Sequence, residues 1–307
     1  MPALDEPSNR RNIDPAALNA AWRRAAIAEQ PPWLHQEVAR RMAERLDIIK
    51  LQPCALAEWG GFIGASDELL AKSYPKSRRI IVEPTEALAA RTRDSLKSSW
   101  WSPSRWTGPA VEVRSPDEVE AGSVELVWSN MNLHGAIDPP AVLAQWQRAL
   151  VVDGFVMFSC FGPDTVRELR TLYRALEWPS PSIDFVDMHD LGDMMVGAGF
   201  ADPVMDQETL TLTWATPEAL LSELRTLGGN ASPARFAGLR GRQWLRRLHG
   251  ALASLKQGGG RIAMTFEIAY GHAFRAPLRG KGGHETTVSL DEMRALVRGG
   301  AQATRQG

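Results

Sequence analysis

The chain has 307 residues, 35 Lys and Arg against 36 Asp and Glu, a formal net charge of −1 and 44% hydrophobic residues. Near-neutrality argues against general nucleic-acid binding, and no run of about eighteen apolar residues points to a membrane span. No charged-then-apolar leader opens the chain, so a soluble cytoplasmic protein with a full globular core is expected. The two cysteines, Cys54 and Cys160, lie in apolar strand-like runs and read as reduced core residues.

Residues Met1 to Asp14 are polar and read as loose. A short helix is expected from Pro15 to Arg24, and Pro31-Pro32 breaks it. From His35 to Ile49, Val38, Met42, Leu46 and Ile49 share one helical face. These elements would form a helical cap over 1–52, ahead of a main domain over 53–275.

Cys54 to Trp59 is a short apolar run of the kind that forms a buried parallel strand, and Gly60, Gly61 and Gly64 follow it in a tight turn. The helix Ser66 to Tyr74 leads to a second apolar run, Arg79 to Val82, with Glu83 at its carboxyl end. In a doubly wound sheet both strand tips face one crevice. A glycine turn with an acidic second tip then suits a nucleoside-containing ligand. Glu86 to Lys97 reads as a helix capped by Thr85. The tryptophan-rich stretch Ser98 to Pro109 reads as a loop packed on the sheet edge.

Val111 to Val113 and Val124 to Ser129 continue the strand series, and Asn130 to His134 forms a further tip loop. Asp138-Pro139 opens a helix to Leu150, Asp153-Gly154 turns the chain, and Phe155 to Cys160 is the next strand. Asp164 or Thr165 would cap a helix that carries Arg167 and Arg170 near that strand tip. A helix from Asp187 to Ala198 follows, and Pro203 to Trp214 alternates as a strand. Thr216-Pro217-Glu218 starts a helix that Gly228-Gly229 ends. Ile262 to Tyr270 alternates again and pairs antiparallel with the preceding strand. A helical lid insertion, 216–260, lies between these two strands, and 276–307 reads as a disordered tail. The class is α/β, a doubly wound parallel sheet with a final antiparallel pair.

The element order resembles the seven-stranded Rossmann-like S-adenosylmethionine-dependent methyltransferase fold. Three blocks resemble malonyl-[acyl-carrier protein] O-methyltransferases of biotin synthesis: 124–134 (VELVWSNMNLH), 161–170 (FGPDTVRELR) and 187–192 (DMHDLG). The likeness runs from about Trp22 to about Phe274 and is strongest from Val124 to Trp214. It implies that Glu58, Gly60, Gly61 and Gly64 surround the methionine part of S-adenosylmethionine and that Glu83 holds the ribose hydroxyls. It also implies that Asn130 and His134 lie beside the reactive methyl. The chain departs from the family at Glu58, Phe62, Glu83-Pro84 and Glu125, and in the segment Ile27 to Trp33. Phe62 puts a phenyl ring where it can take part of the cofactor's volume, and Pro84 lacks a backbone donor.

Methylation of a carboxylate needs no strong base, because the nucleophile is already anionic; orientation and charge placement carry the rate. An arginine suits the holding of that carboxylate. Arg167, Arg170, Arg23 and Arg24 are candidates, with His134 as a hydrogen-bonding partner. No residue cluster has metal-ligand spacing. From Leu224 to Phe266 there is no Asp or Glu, while Arg225, Arg235, Arg240, Arg242, Arg246 and Arg247 fall in that window. Such a lid suits docking of an acidic acyl-carrier protein. Two alternatives stay open: a binding or assembly protein that kept the fold without the catalysis, and a hydroxylase-type relative.

Overall fold

The structure, a computed structural model, describes residues 10–98, 109–256 and 258–277. Its strands are β1 (Ala55–Trp59), β2 (Arg78–Val82), β3 (Val111–Arg114), β4 (Val124–Ser129), β5 (Leu150–Phe161), β6 (Phe200–Trp214) and β7 (Ile262–Arg275). They form one seven-stranded sheet in the order β3-β2-β1-β4-β5-β7-β6. The first five strands pair in parallel, and β7 inserts antiparallel between β5 and β6. The strand order reverses between β1 and β4, so the crevice at their carboxyl ends is where such a sheet places a ligand.

The helices are α1 (Pro15–Ala26), α2 (Trp33–Glu44), α3 (Asp67–Ser73), α4 (Glu86–Ser98), α5 (Pro139–Ala149), α6 (Arg167–Ala175), α7 (Met188–Gly197), α8 (Pro217–Thr226) and α9 (Arg242–Ala253). Several starts follow their signals. Asp14 accepts from the Ala16 and Ala17 N–H groups, Asp138 from Ala141, and Thr216 from Ala219, each with proline at the start of the helix.

Leu34, Val38 and Met42 of α2 are fully buried and join a core cluster with Leu126, Trp128 and Phe266. The outer face of α2 is tied to β6 by Arg41–Glu208 at 3.1 Å, and the turn just after it by Arg45–Asp206 at 2.7 Å. On the second core cluster, Val82, Val127 and Val156 pack with Leu143 and Trp146 of α5. No described helix is long and apolar enough to cross a membrane.

Four readings of the sequence change. Arg10 to Asp14 are not loose: Arg11 donates to the carbonyls of His134 and Asp184, and Ile13 is buried. Cys54 is exposed, because β1 begins only at Ala55; Cys160 alone is a core thiol, its pKa pushed up to about 12 by burial. Neither Asp164 nor Thr165 caps α6. Val166 precedes that helix with φ of 50°, while Thr165 turns inward to the backbone of Glu267. The Asp153-Gly154 turn is a kink inside β5, which already starts at Leu150. The tryptophan-rich loop and the tail from 278 lie outside the described residues.

Candidate active site

The site begins at the end of β1. Gly60 has a left-handed backbone (φ 78°), and a Cβ there would lie 2.7 Å from the Asn132 amide. Gly61 is equally confined, since its Cβ would meet Ile81 at 2.3 Å. One helical turn, Gly61–Gly64, follows and ends at Ala65, again left-handed. The glycines let the chain double back between the β2 and β4 tips.

Glu83 reaches this turn from the tip of β2. Its Oε1 accepts from the Phe62 N–H at 2.9 Å and the Thr92 hydroxyl at 2.7 Å, while Oε2 is buried without a partner among the described residues. Glu58, at 1% exposure, has no hydrogen bond of normal geometry to either carboxylate oxygen among the described residues, the Ser66 backbone being the polar group nearest to serving it. Burial raises both carboxyl pKa values, that of Glu58 much further; Asp67 and Glu83 add repulsion, and Arg79 offsets it in part. Glu58, Gly61 and Thr92 open on a cleft of about 700 Å3 bounded by α2, α3 and α4. Phe62 also faces this cleft, with its ring against Arg91, whose Cζ stands 3.8 Å from the ring centroid.

On the other side of the turn stands a buried polar knot. Asn130 donates through Nδ2 to the carbonyls of His35 (2.8 Å) and Gly64 (2.6 Å), and its Oδ1 accepts from Ser159 at 2.7 Å. Ser159 in turn accepts from the Met131 N–H. The amide is therefore fully engaged in joining the β4 tip to α2, the turn and β5. Asn130 acts as a positioning residue rather than a group open to ligand.

His134 sits four residues further on, half-buried, its ring 4.5 Å from that of Phe161. Desolvation, with His35 and Arg11 nearby, holds its pKa well below the ordinary histidine value, so the ring is neutral near pH 7. The Phe161 N–H faces Nδ1 from 3.5 Å, the outer reach of a hydrogen bond, an arrangement compatible with the proton on Nε2. His134 lines two cavities, of about 100 Å3 beside His35 and Ile63 and about 230 Å3 beside Phe161 and Phe266. His35 is neutral too, with a pKa near 4 from burial; its Nδ1 bonds the Ile63 carbonyl and Nε2 has no partner among the described residues.

Arg167 does not join this group. It is 54% exposed and pairs with Asp164 at 2.8 Å. The Phe161-Gly-Pro-Asp-Thr block explains why. A Cβ on Gly162 would lie 2.6 Å from the Glu267 carboxyl, and Gly162, Asp164 and Thr165 all bond Glu267. The block is a clasp onto β7 that turns Arg167 outward. Arg170 donates to the Pro163 carbonyl and Arg24 to that of Gly228 at 2.9 Å. Sequence reasoning gave no role to Arg11, His35 or Ser159. His35 could have been noticed as a polar residue that α2 carries into the core.

A seven-stranded sheet with this reversal and an acidic residue beside a glycine turn defines a Rossmann-like methyltransferase. Solved structures share the fold. The YcgJ protein of Bacillus subtilis aligns with a TM-score of 0.52 at 10% identity over 78% of this chain and 99% of its own. A candidate methyltransferase from Bacillus halodurans aligns at 0.50 with 12% identity, over 78% of this chain and 100% of its own. No protein-family model matches the sequence. The malonyl-[acyl-carrier protein] O-methyltransferase of Gallionella capsiferriformans is 37% identical over 270 residues, covering 86% of this chain and 91% of the relative. That of Laribacter hongkongensis is 36% identical over 279 residues, covering 90% and 91%. The chain belongs to the malonyl-[acyl-carrier protein] O-methyltransferase family.

The residues present fit the cofactor that such a fold implies. The cleft lies within the range, roughly 300–1,000 Å3, that holds ligands of this size. Oε2 of Glu83, at the turn bordering the cleft, is a buried acceptor without a partner among the described residues, and donors from a ligand would satisfy it.

Proposed function

We propose that this protein is a cytoplasmic enzyme that transfers a methyl group to the free carboxylate of a malonyl group carried on acyl-carrier protein, in biotin synthesis. The observation that carries this reading is the placement of His134. It stands at the β4 tip, next to the glycine turn, lines a largely apolar cavity and is held neutral by burial.

Bound S-adenosylmethionine supplies an electrophilic methyl on a positively charged sulfur. Glu83 would accept from its ribose hydroxyls through the spare Oε2, and the turn from Gly60 to Gly64 would pack against its methionine part. Asn130 contributes by holding the tip loop, through its three bonds to His35, Gly64 and Ser159. His134 donates to one oxygen of the substrate carboxylate, which leaves the other to attack. No proton has to move in this step, so a histidine held neutral serves as a donor and not as a base. The apolar walls exclude water from the attacking oxygen.

The exposed basic face of α9 supports the carrier-protein assignment. Arg242, Arg246 and Arg247 are exposed beside Leu245, and Leu239 just before the helix is fully exposed. Arg240 stacks on Trp244 with its Cζ 4.0 Å from the ring centroid. Arg235 is half-buried in a pair with Asp14 at 2.5 Å and belongs to the internal framework instead. Cations around exposed leucines suit an acidic helical partner.

The direct test measures S-adenosylhomocysteine binding by calorimetry, then methyl transfer to malonyl-carrier protein. Affinity in the micromolar range with ester formation supports the reading. A folded protein that binds none at millimolar ligand excludes it.

A further inference from the structure

The cavity of about 230 Å3 beyond His134 has an ionic character that the sequence did not foretell. Its walls are Phe161, Leu169, Tyr173, Phe185, Leu224 and Phe266. Thr165, Ser182 and Asn230 add neutral polar groups, and no Asp or Glu lines it among the described residues. Arg225, on the last turn of α8, is the only Lys or Arg among the described residues of the lining.

The other arginines considered for this region have partners: Arg24 on Gly228, Arg167 on Asp164, Arg170 on Pro163 and Arg235 on Asp14. Arg225 is exposed and makes no ion pair or hydrogen bond among the described residues. An apolar chamber with one cation and no anion is complementary to a ligand carrying one negative charge.

On the reading given under Proposed function, we infer that Arg225 is the residue that recognises the free carboxylate of the substrate. His134 and Arg225 then act from one cavity: the arginine holds the charged end group, and the imidazole N–H fixes which oxygen faces the methyl. This also sets specificity. An acyl group ending in a methyl or an ester leaves Arg225 with nothing to pair. The product, whose charge methylation has removed, is held less well than the substrate and is released.

The test compares binding of malonyl-carrier protein with that of its methyl ester, both to enzyme loaded with S-adenosylhomocysteine. Wild type is expected to prefer the acid by roughly 10- to 100-fold, the range of a charge-assisted hydrogen bond. Arg225→Gln should bring acid and ester to within about 3-fold, and Arg225→Lys should restore part of the preference. Affinity for S-adenosylhomocysteine should stay unchanged in both variants. A general docking role for Arg225 would weaken acid and ester alike, so an Arg225→Gln protein that still prefers the acid as wild type does overturns the inference alone. Wild type that binds S-adenosylhomocysteine but neither binds nor methylates malonyl-carrier protein overturns the function proposed above, and the inference with it.

Discussion

The Glu83 carboxylate accepts the Phe62 N–H at 2.9 Å, so the tip of β2 and the turn after β1 are joined by a charge-assisted bond. Only one of the two oxygens is used in this way, and the Thr92 hydroxyl shares it. Glu83→Ala should therefore lower S-adenosylhomocysteine affinity by about 10- to 100-fold, the worth of hydrogen bonds to a charged group. Calorimetry reads this directly. An unchanged affinity would place the ribose elsewhere.

The Phe62 ring leans on the Arg91 guanidinium. Arg91 in turn donates to the Glu29 carbonyl at 3.0 Å. Phe62→Leu should lower stability by about 1 kcal/mol through loss of the stacked cation. Affinity for S-adenosylhomocysteine should change by less than about 3-fold, because the ring forms part of the cleft wall. A large gain in affinity would mean that the ring blocks the cleft.

Asn130→Ala removes a donor from the His35 and Gly64 carbonyls and the acceptor of the Ser159 hydroxyl in a buried site; the Gly64 carbonyl keeps the Ser66 hydroxyl at 3.0 Å. Urea unfolding should show a loss of about 3 kcal/mol, with each unsatisfied group costing about 1–3 kcal/mol. A loss below about 1 kcal/mol would contradict the knot described here.

Buried carboxyls make stability depend on pH in a direction opposite to ordinary ion pairs. The Glu58 pKa is raised on folding, so the folded state binds the extra proton more readily than the unfolded chain. The resulting penalty is absent below the unfolded carboxyl pKa and grows as pH rises towards the folded one. Glu58→Gln should leave stability at pH 4 unchanged and increase it by more than about 1 kcal/mol at pH 8. Chemical denaturation at the two pH values measures both. Equal gains at both would show that Glu58 is not the source.

The two histidines give the reverse slope. His35 has a folded pKa near 4, below its unfolded value, so its contribution is full above about pH 6.5 and is lost as pH falls from there towards 4. Catalysis, by contrast, should show no inflection at the usual histidine pKa, because His134 is already neutral there. A kcat profile that drops tenfold between pH 7 and pH 6 would show that the imidazole titrates in that range.

Much of this was legible in the residues. The apolar run ending at Trp59, the glycines and the second run ending at Glu83 place two tips in one crevice, because parallel strands share a direction. The alternation from Ile262 likewise fixed an antiparallel pair. The direction of Arg167, exposed and paired with Asp164, could not be read locally, because it depends on the Glu267 clasp, a contact between residues about a hundred positions apart. Arg11 was invisible because nothing in a polar segment marks which side chain will find three carbonyls. Asn130 was correctly placed at the tip, but its orientation follows from His35 and Ser159, which no local pattern links to it.

Arg11 binds the carbonyls of His134, Ala136 and Asp184 at once, and thereby makes the polar leader part of the floor plan of the reaction chamber. Damage far from any ligand can then silence the protein. A protease that nicks the backbone just after Arg11 would leave every residue that meets substrate untouched, yet would unfasten the loop that aims His134. Integrity of the leader and competence of the site are a single property of this molecule.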